Sequence, residues 1–214
     1  MTRTSTRSEN ELLEQIYPIL MEKGLKSATM DCVAKQLQIS KRTLYEIFEN
    51  KNDMLKKVLE CHAEKNKLRV AEILDFSSNS IEAFIRIFSL HRDDLLRLNI
   101  AFFKDMDRLY QGMRPEHDEH ESKMNAKIQE LIKNGIEEGL IRPDLNFSVL
   151  LRMLKIQFES LKRMEELFPP EITLLEIFDT VILGFLRGIA TQNGHSVIDN
   201  LTPIYFQEAR PDKL

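Results

Sequence analysis

The chain has 214 residues, 43% apolar and 30% charged, with a formal net charge of −4. That balance excludes a disordered chain and leaves enough apolar surface for one large or two small domains. The net charge also excludes a globally basic nucleic-acid binder, but residues 1–67 hold 12 Lys/Arg against 10 Asp/Glu (+2) and leave 18 against 24 (−6) for the rest, so any basic face is local.

Only 7 Gly and 7 Pro occur, alternating strand-like patterns are scarce, and Leu, Ile, Glu, Lys, Arg and Met dominate, which predicts an all-α protein. The first helix spans residues 10–23, with Leu12, Leu13, Ile16, Ile19 and Leu20 on one face and Gly24 at its stop. Pro18 falls inside it and removes one helical hydrogen bond. Thr29 is the expected N-cap of a short helix ending at Leu37, with Asp31 near its positive end. After the turn QLQIS, Ser40 caps a helix over 41–48, and two short helices joined by about three residues have helix-turn-helix spacing.

Asn50 and Asp53 open a long helix over 51–75 that can connect two domains. SSNS at 77–80 then breaks and recaps the chain, and further helices are expected over 81–91, 93–111, 116–139, 146–168 and 171–192. Pro170 suits a first-turn position in the last of these. From His195 the helical period fades and Pro203 and Pro211 occur, which predicts an irregular tail over 195–214.

In a helix starting at Lys41, Leu44, Ile47 and Phe48 turn toward Val33, Ala34 and Leu37, leaving Lys41, Arg42, Tyr45 and Glu46 outward. Cations and a tyrosine on the exposed first turns of such a helix suit a major-groove reader, because Lys and Arg donate to guanine O6 and N7. A merely solvated helix face is the alternative.

In register, Gly24, Thr29, Val33, Ala34, Ile39, Ser40, Thr43, Leu44, Tyr45, Phe48, Lys51 and Leu55 give a pattern that resembles the TetR/AcrR family of bacterial transcription regulators. The resemblance implies a homodimer that grips double-stranded, palindromic operator DNA. Its fold would be an N-terminal three-helix DNA-binding domain over 1–50, and a larger effector-binding and dimerisation domain over 51–194, about nine helices in all. Thr29, Ser40, Lys41, Arg42, Thr43, Tyr45 and Lys51 form the implied DNA-binding set. Lys41 and Arg42 would read bases, Tyr45 and Lys51 hold phosphates, Thr43 bond near the backbone and Thr29 anchor a helix end, with Arg3 and Arg7 as an added arm. Three positions depart from the family pattern: Gln38 replaces the usual turn glycine, Arg42 a small residue or proline, and Ile47 a histidine.

The two long C-terminal helices are apolar on two sides. In 171–192, Leu175, Phe178, Ile182, Phe185 and Ile189 form one stripe, and Leu174, Ile177, Val181, Gly184 and Gly188 another. In 146–168, Leu150, Leu151, Leu154, Phe158 and Leu161 oppose Val149, Met153, Ile156, Met164 and Leu167. One subunit's core covers one stripe, so the second is expected to pair with a second copy as a four-helix bundle; Val149, Met153, Ile156, Met164, Leu174, Ile177, Val181, Gly184 and Gly188 are the expected dimer contacts. A single large monomeric core is the alternative.

Phe and Met at helical spacing in the middle of the chain are most simply core. The resemblance makes the same region an effector pocket, with Phe84, Phe88, His91, Phe102, Phe103, Met106, Tyr110, Met124 and Gln157 as candidate contacts for an unidentified small molecule.

EHDEH at 116–120 places His117 and His120 three residues apart but lacks the further ligands of a metal site, so no metal is expected. Cys32 and Cys61 lack CxxC spacing and predict neither a disulfide framework nor zinc. Cys61 and His62 point about 100° apart on a helix, so adjacency does not make a nucleophile and base. No phosphate loop or paired catalytic carboxylates stand out; no cofactor and no enzyme activity are expected. No apolar run reaches the roughly 18 residues of a membrane span, and the polar start lacks the core of a secretory signal, so no membrane contact and a cytoplasmic location are expected. The leading functional expectation is a repressor released by an effector. A same-fold regulator that binds protein partners, or a metal or redox sensor, is the alternative.

Overall fold

A computed structural model describes residues 9–96, 98–111, 114–163 and 167–206, and the side chains among them other than those of 103, 107–125 and 162. The described residues form ten α-helices and one short 3-10 turn. They fall into two compact units: residues 9–71 with 98–111, and residues 72–96 with 114–163 and 167–206.

The first unit contains α1 (Glu9–Lys23), α2 (Met30–Leu37), α3 (Lys41–Ile47), the beginning of α4 (Lys51–Phe76) and α6 (Ile100–Gln111). Its core is built from the apolar face predicted for the first helix, with Ile16 and Leu20 fully buried among Ala28, Val33, Leu44, Phe48, Met54, Val58 and Phe102. Pro18 lies within α1, which continues past it. Gly24 then takes φ 79°, a left-handed stop, and an added Cβ there would sit 3.3 Å from the Ala101 side chain. Two bonds fasten the α6 region to the end of α1: Asn99 N–H donates to the Met21 carbonyl at 2.8 Å, and Lys26 N–H to Asp105 Oδ2 at 3.0 Å. The first unit therefore includes a helix distant in sequence as well as the three expected of it.

The second unit contains α5 (Ser80–Leu95), α7 (Arg114–Glu137), α8 (Phe147–Ser160), the 3-10 turn Leu161–Arg163, α9 (Leu174–Ile189) and α10 (Gln192–Tyr205). Helix α5 packs on α7, α9 and α10. Ile81, Ile85, Ile182, Leu186 and Ile198 are fully buried between them. Arg92, 6% exposed, holds both carboxylate oxygens of Asp179 of α9, Nε donating to Oδ1 at 2.8 Å and to Oδ2 at 3.1 Å and Nη2 to Oδ2 at 2.9 Å. The Phe206 ring lies 5.8 Å from the same guanidinium.

The predicted tail is corrected over 195–206. These residues belong to α10, which Thr191 opens by accepting the Gly194 N–H at 3.2 Å. A glycine in the first turn and Pro203 inside the helix obscured the pattern, yet Ile198 is fully buried. Gly194 is required because a Cβ there would collide with the Leu140 carbonyl oxygen. Thr191 N–H also donates to that carbonyl, at 2.9 Å. Residues 207–214 lie outside the described residues.

Several other helix limits move, among them three with local hydrogen bonds beside them. Helix α6 begins at Ile100 rather than 93, since Asn99 Oδ1 accepts the Ala101 N–H at 2.8 Å. Helix α9 begins at Leu174 with a Thr173–Glu176 capping box, so Pro170 precedes it instead of occupying its first turn. Helix α8 ends at Ser160, whose hydroxyl donates to the Gln157 carbonyl at 2.6 Å.

Candidate nucleic-acid interface

The turn between α2 and α3 sets the site. Thr29 opens α2 by accepting the Cys32 N–H at 3.2 Å. At the other end Gln38 takes φ 55° and ψ 38°, its N–H donating to the Lys35 carbonyl at 3.2 Å while Ile39 N–H reaches the Ala34 carbonyl at 3.0 Å. These are the two bonds of a Schellman close, a conformation that glycine adopts without steric cost. Gln38 is the one non-glycine residue with positive φ among the described residues. The departure noted in the sequence therefore leaves the turn geometry intact at an energetic cost.

Ser40 then caps α3. Its Oγ accepts the Thr43 N–H at 3.0 Å and lies 2.8 Å from Thr43 Oγ1, so both hydroxyls are engaged with each other and with the helix start. Leu44 and Phe48 are fully buried and Ile47 half-buried, the inward side expected of them. The outward side carries Lys41, Arg42, Tyr45 and Glu46, with Tyr45 49% exposed.

The expected cations have partners within the chain. Lys41 Nζ lies 2.7 Å from Asp31 Oδ1 of α2, and that hydrogen bond followed by the carboxylate charge raises the lysine pKa. Arg42 donates from Nε to Glu46 Oε1 at 2.9 Å, one turn along α3. Lys51 donates to the Lys26 carbonyl at 2.7 Å, and partial burial lowers its pKa against the opposing effect of Asp105. Lys51 is thus held inside the head at the start of α4. Lys57 completes the far end of α3, 3.3 Å from the Ile47 carbonyl and 5.6 Å from the centre of the Phe48 ring.

Asp31 and Glu46 were not assigned partners from sequence. The i, i+4 spacing of Arg42 and Glu46 is a readable signal, whereas the Lys41–Asp31 pair depends on how α2 meets α3. Arg3 and Arg7 lie outside the described residues.

A short, doubly capped helix presenting two cations and a tyrosine beyond a buried apolar stripe has the arrangement of a groove-reading head. Residues 12–58 match the family model described as bacterial regulatory proteins, tetR family. Over those residues the head is similar to the DNA-binding heads of that family. The chain is 27% identical over 149 residues to the HTH-type transcriptional repressor KstR2 of Mycobacterium tuberculosis, covering 68% of this chain and 74% of that protein.

Two solved transcriptional regulators share the fold over most of the chain. A putative transcriptional regulator from Saccharomonospora viridis, in complex with choline, aligns with TM-score 0.65 at 16% identity over 85% of this chain and 96% of its own. FadR of Bacillus subtilis, in complex with stearoyl-CoA, aligns with TM-score 0.53 at 17% identity over 83% and 97%. At those identities they establish the fold. The chain is accordingly similar to transcriptional regulators both in its matched head and in its all-helical fold.

The remaining candidate residues take the following places. Phe84, buried, and Phe88, half-buried, stack in the second unit with centroids 6.1 Å apart. Phe102 is in the core of the first unit, its ring edge-on to Tyr17, and Met106 packs beside that core. His91 and Gln157 are exposed on α5 and α8. The side chains of Phe103, Tyr110 and Met124, the pair His117 and His120, and Met164 lie outside those described.

Of the expected dimer contacts, Val149, Met153 and Ile156 are 51%, 53% and 57% exposed, and Leu174 and Val181 are half-buried. Gly184 and Gly188 are exposed, with nothing within 4 Å of an added Cβ. Ile177 is corrected: at 6% exposure it is covered within the chain. His62 stacks on Tyr17 at 3.5 Å and its Nε2 lies 2.8 Å from Asn66 Nδ2, so the ring is engaged with these residues and not simply paired with Cys61.

Proposed function

We propose that this regulator is a cytoplasmic repressor that binds a palindromic operator as a homodimer and releases it when a small molecule binds the second unit. The observation that carries the reading is the outward face of α3, where Lys41 and Arg42 are exposed beyond a fully buried Leu44 and Phe48. Lys41 and Arg42 choose sequence and Tyr45 holds phosphate. Thr29, Ser40 and Thr43 fix the ends of the two helices, and Lys51 locks the head while adding positive charge near the backbone.

The dimer reading rests on apolar exposure. Helices α8 and α9 pack on each other and still expose Val149, Met153 and Ile156 beside the open surfaces of Gly184 and Gly188. Exposed apolar stripes of this kind suit a self-complementary two-fold contact. A small-molecule effector is supported by the choline and stearoyl-CoA described with two proteins of the same fold. Its binding would favour a dimer state whose heads no longer match operator half-sites about 34 Å apart.

The test is selection of genomic fragments on the full chain, followed by titration at several salt concentrations. The expected result is one palindromic site whose affinity falls steeply with salt. Gly188→Leu should keep the subunit folded, give a monomer by sedimentation and lose the site. Recovery of no palindrome would overturn the reading.

A further inference from the structure

Arg42 is the most exposed of the paired cations on the head, 88% accessible, yet its guanidinium is oriented. Its Nε donates to Glu46 Oε1 at 2.9 Å, and its two terminal nitrogens have no partner among the described residues. A guanidinium is a rigid planar fork with five N–H donors, so fixing Nε fixes the plane and leaves both terminal nitrogens to act together. A guanine edge offers O6 and N7 to such an end-on pair. The carboxylate also repels phosphate, while guanine O6 and N7 carry no formal charge. Glu46 therefore weakens the grip of Arg42 on any backbone while leaving its grip on one base intact.

We propose that Glu46 is a positioning residue for sequence choice, holding Arg42 by Nε so that its terminal N–H groups meet one guanine and disfavouring the same guanidinium's attachment to phosphates. The proposal rests on the reading of Arg42 as base-facing. Position 46 sits one turn beyond position 42 on a helix whose inner side is fully buried at Leu44 and Phe48, so the pair shares the outward side. Glu46 is itself 60% exposed, and its replacement does not touch the core.

The experiment compares the full chain with Glu46→Ala, Glu46→Gln and Arg42→Ala. Binding is titrated on the selected operator, on its single-base-pair variants, and on a scrambled duplex of the same length, at several salt concentrations. Glu46→Ala is expected to lower the operator-to-scrambled ratio roughly tenfold. It should also tighten scrambled binding and steepen its salt dependence by up to about one ion per chain. Glu46→Gln keeps an acceptor for Nε and should keep more of the ratio while tightening scrambled binding equally. In the Arg42→Ala background, Glu46→Ala should change discrimination at the guanine no further.

An unchanged ratio in Glu46→Ala, or additive losses in the double variant, would overturn the proposal while leaving Arg42 as a reader. Loss of preference at a cytosine instead would make Glu46 a reader in its own right and overturn it too. If Arg42→Ala itself keeps full sequence preference, the base-reading assignment fails first, and that outcome is distinguished by the Arg42 variant alone.

Discussion

The two units use the same arginine–carboxylate chemistry in opposite settings. In the first, Arg42 and Glu46 meet with side chains 88% and 60% exposed; in the second, Arg92 and Asp179 meet with 7% and 22%. The donor–acceptor distances are nearly equal, 2.9 and 2.8 Å. Water makes the difference. An exposed pair is screened and contributes little to stability, so the head can carry it for another purpose than holding the fold. A buried pair has given up its hydration and becomes costly to break once formed.

The largest expected effect tests the buried side of that contrast. Asp179→Ala removes the carboxylate held by an arginine that is 6% exposed, and should lower stability by about 3 kcal/mol. A urea melt followed by circular dichroism measures it. A loss under about 1 kcal/mol would mean that Arg92 is hydrated and that burial does not separate the two pairs.

The next effect is about 0.5–1 kcal/mol and opposite in sign. Gln38 holds φ 55° with no glycine to relieve the left-handed backbone, so Gln38→Gly should stabilise the chain, the steric relief exceeding the added freedom of the unfolded state. A melt of the full chain with and without the substitution decides it. If stability falls, the Gln38 side chain contributes more than its backbone costs.

A third effect is directional and lies on the acid side. The Thr173 N–H and hydroxyl donate to Glu176 Oε2 at 2.7 and 2.8 Å. These bonds, backbone first, hold the Glu176 carboxyl below its ordinary value. A depressed folded pKa gives stability that is present above the unfolded value and is lost as pH falls through the folded one. Glu176→Gln should therefore flatten the pH dependence of melting temperature below the ordinary carboxylate range, and an unaltered slope there would remove this group from the acid response.

The sequence disclosed the head more fully than the rest because its signals are local. Ser40 and Thr29 cap helices that begin beside them, and Leu44 and Phe48 face inward by period alone. Exposed Val149, Met153 and Ile156 were also legible, since a second apolar stripe is a pattern along one helix. What escaped depends on distant contacts. Helix α10 is stabilised by a crossing in which Gly194 meets the Leu140 carbonyl and Ile198 enters the core, and neither can be read from residues 192–205. Ile177 reads as part of an outer stripe until its neighbours cover it. Phe84 and Phe102 looked alike as apolar helical residues, yet they belong to the cores of different units.

The smallest expected effect tests the exposed side of the contrast. Glu46→Ala breaks the Arg42 pair but leaves both groups in water. An i, i+4 pair with arginine toward the N-terminus is the weaker orientation, worth about 0.3 kcal/mol, and alanine's helix propensity offsets part of it. The urea midpoint should therefore move by less than measurement error, and raising salt should leave even that difference smaller. A loss above about 1 kcal/mol would show that the pair anchors α3, making the head's charges structural like those of the second unit. With stability unchanged, any shift in DNA selectivity of the same variant belongs to recognition, because the folded population is equal in both proteins.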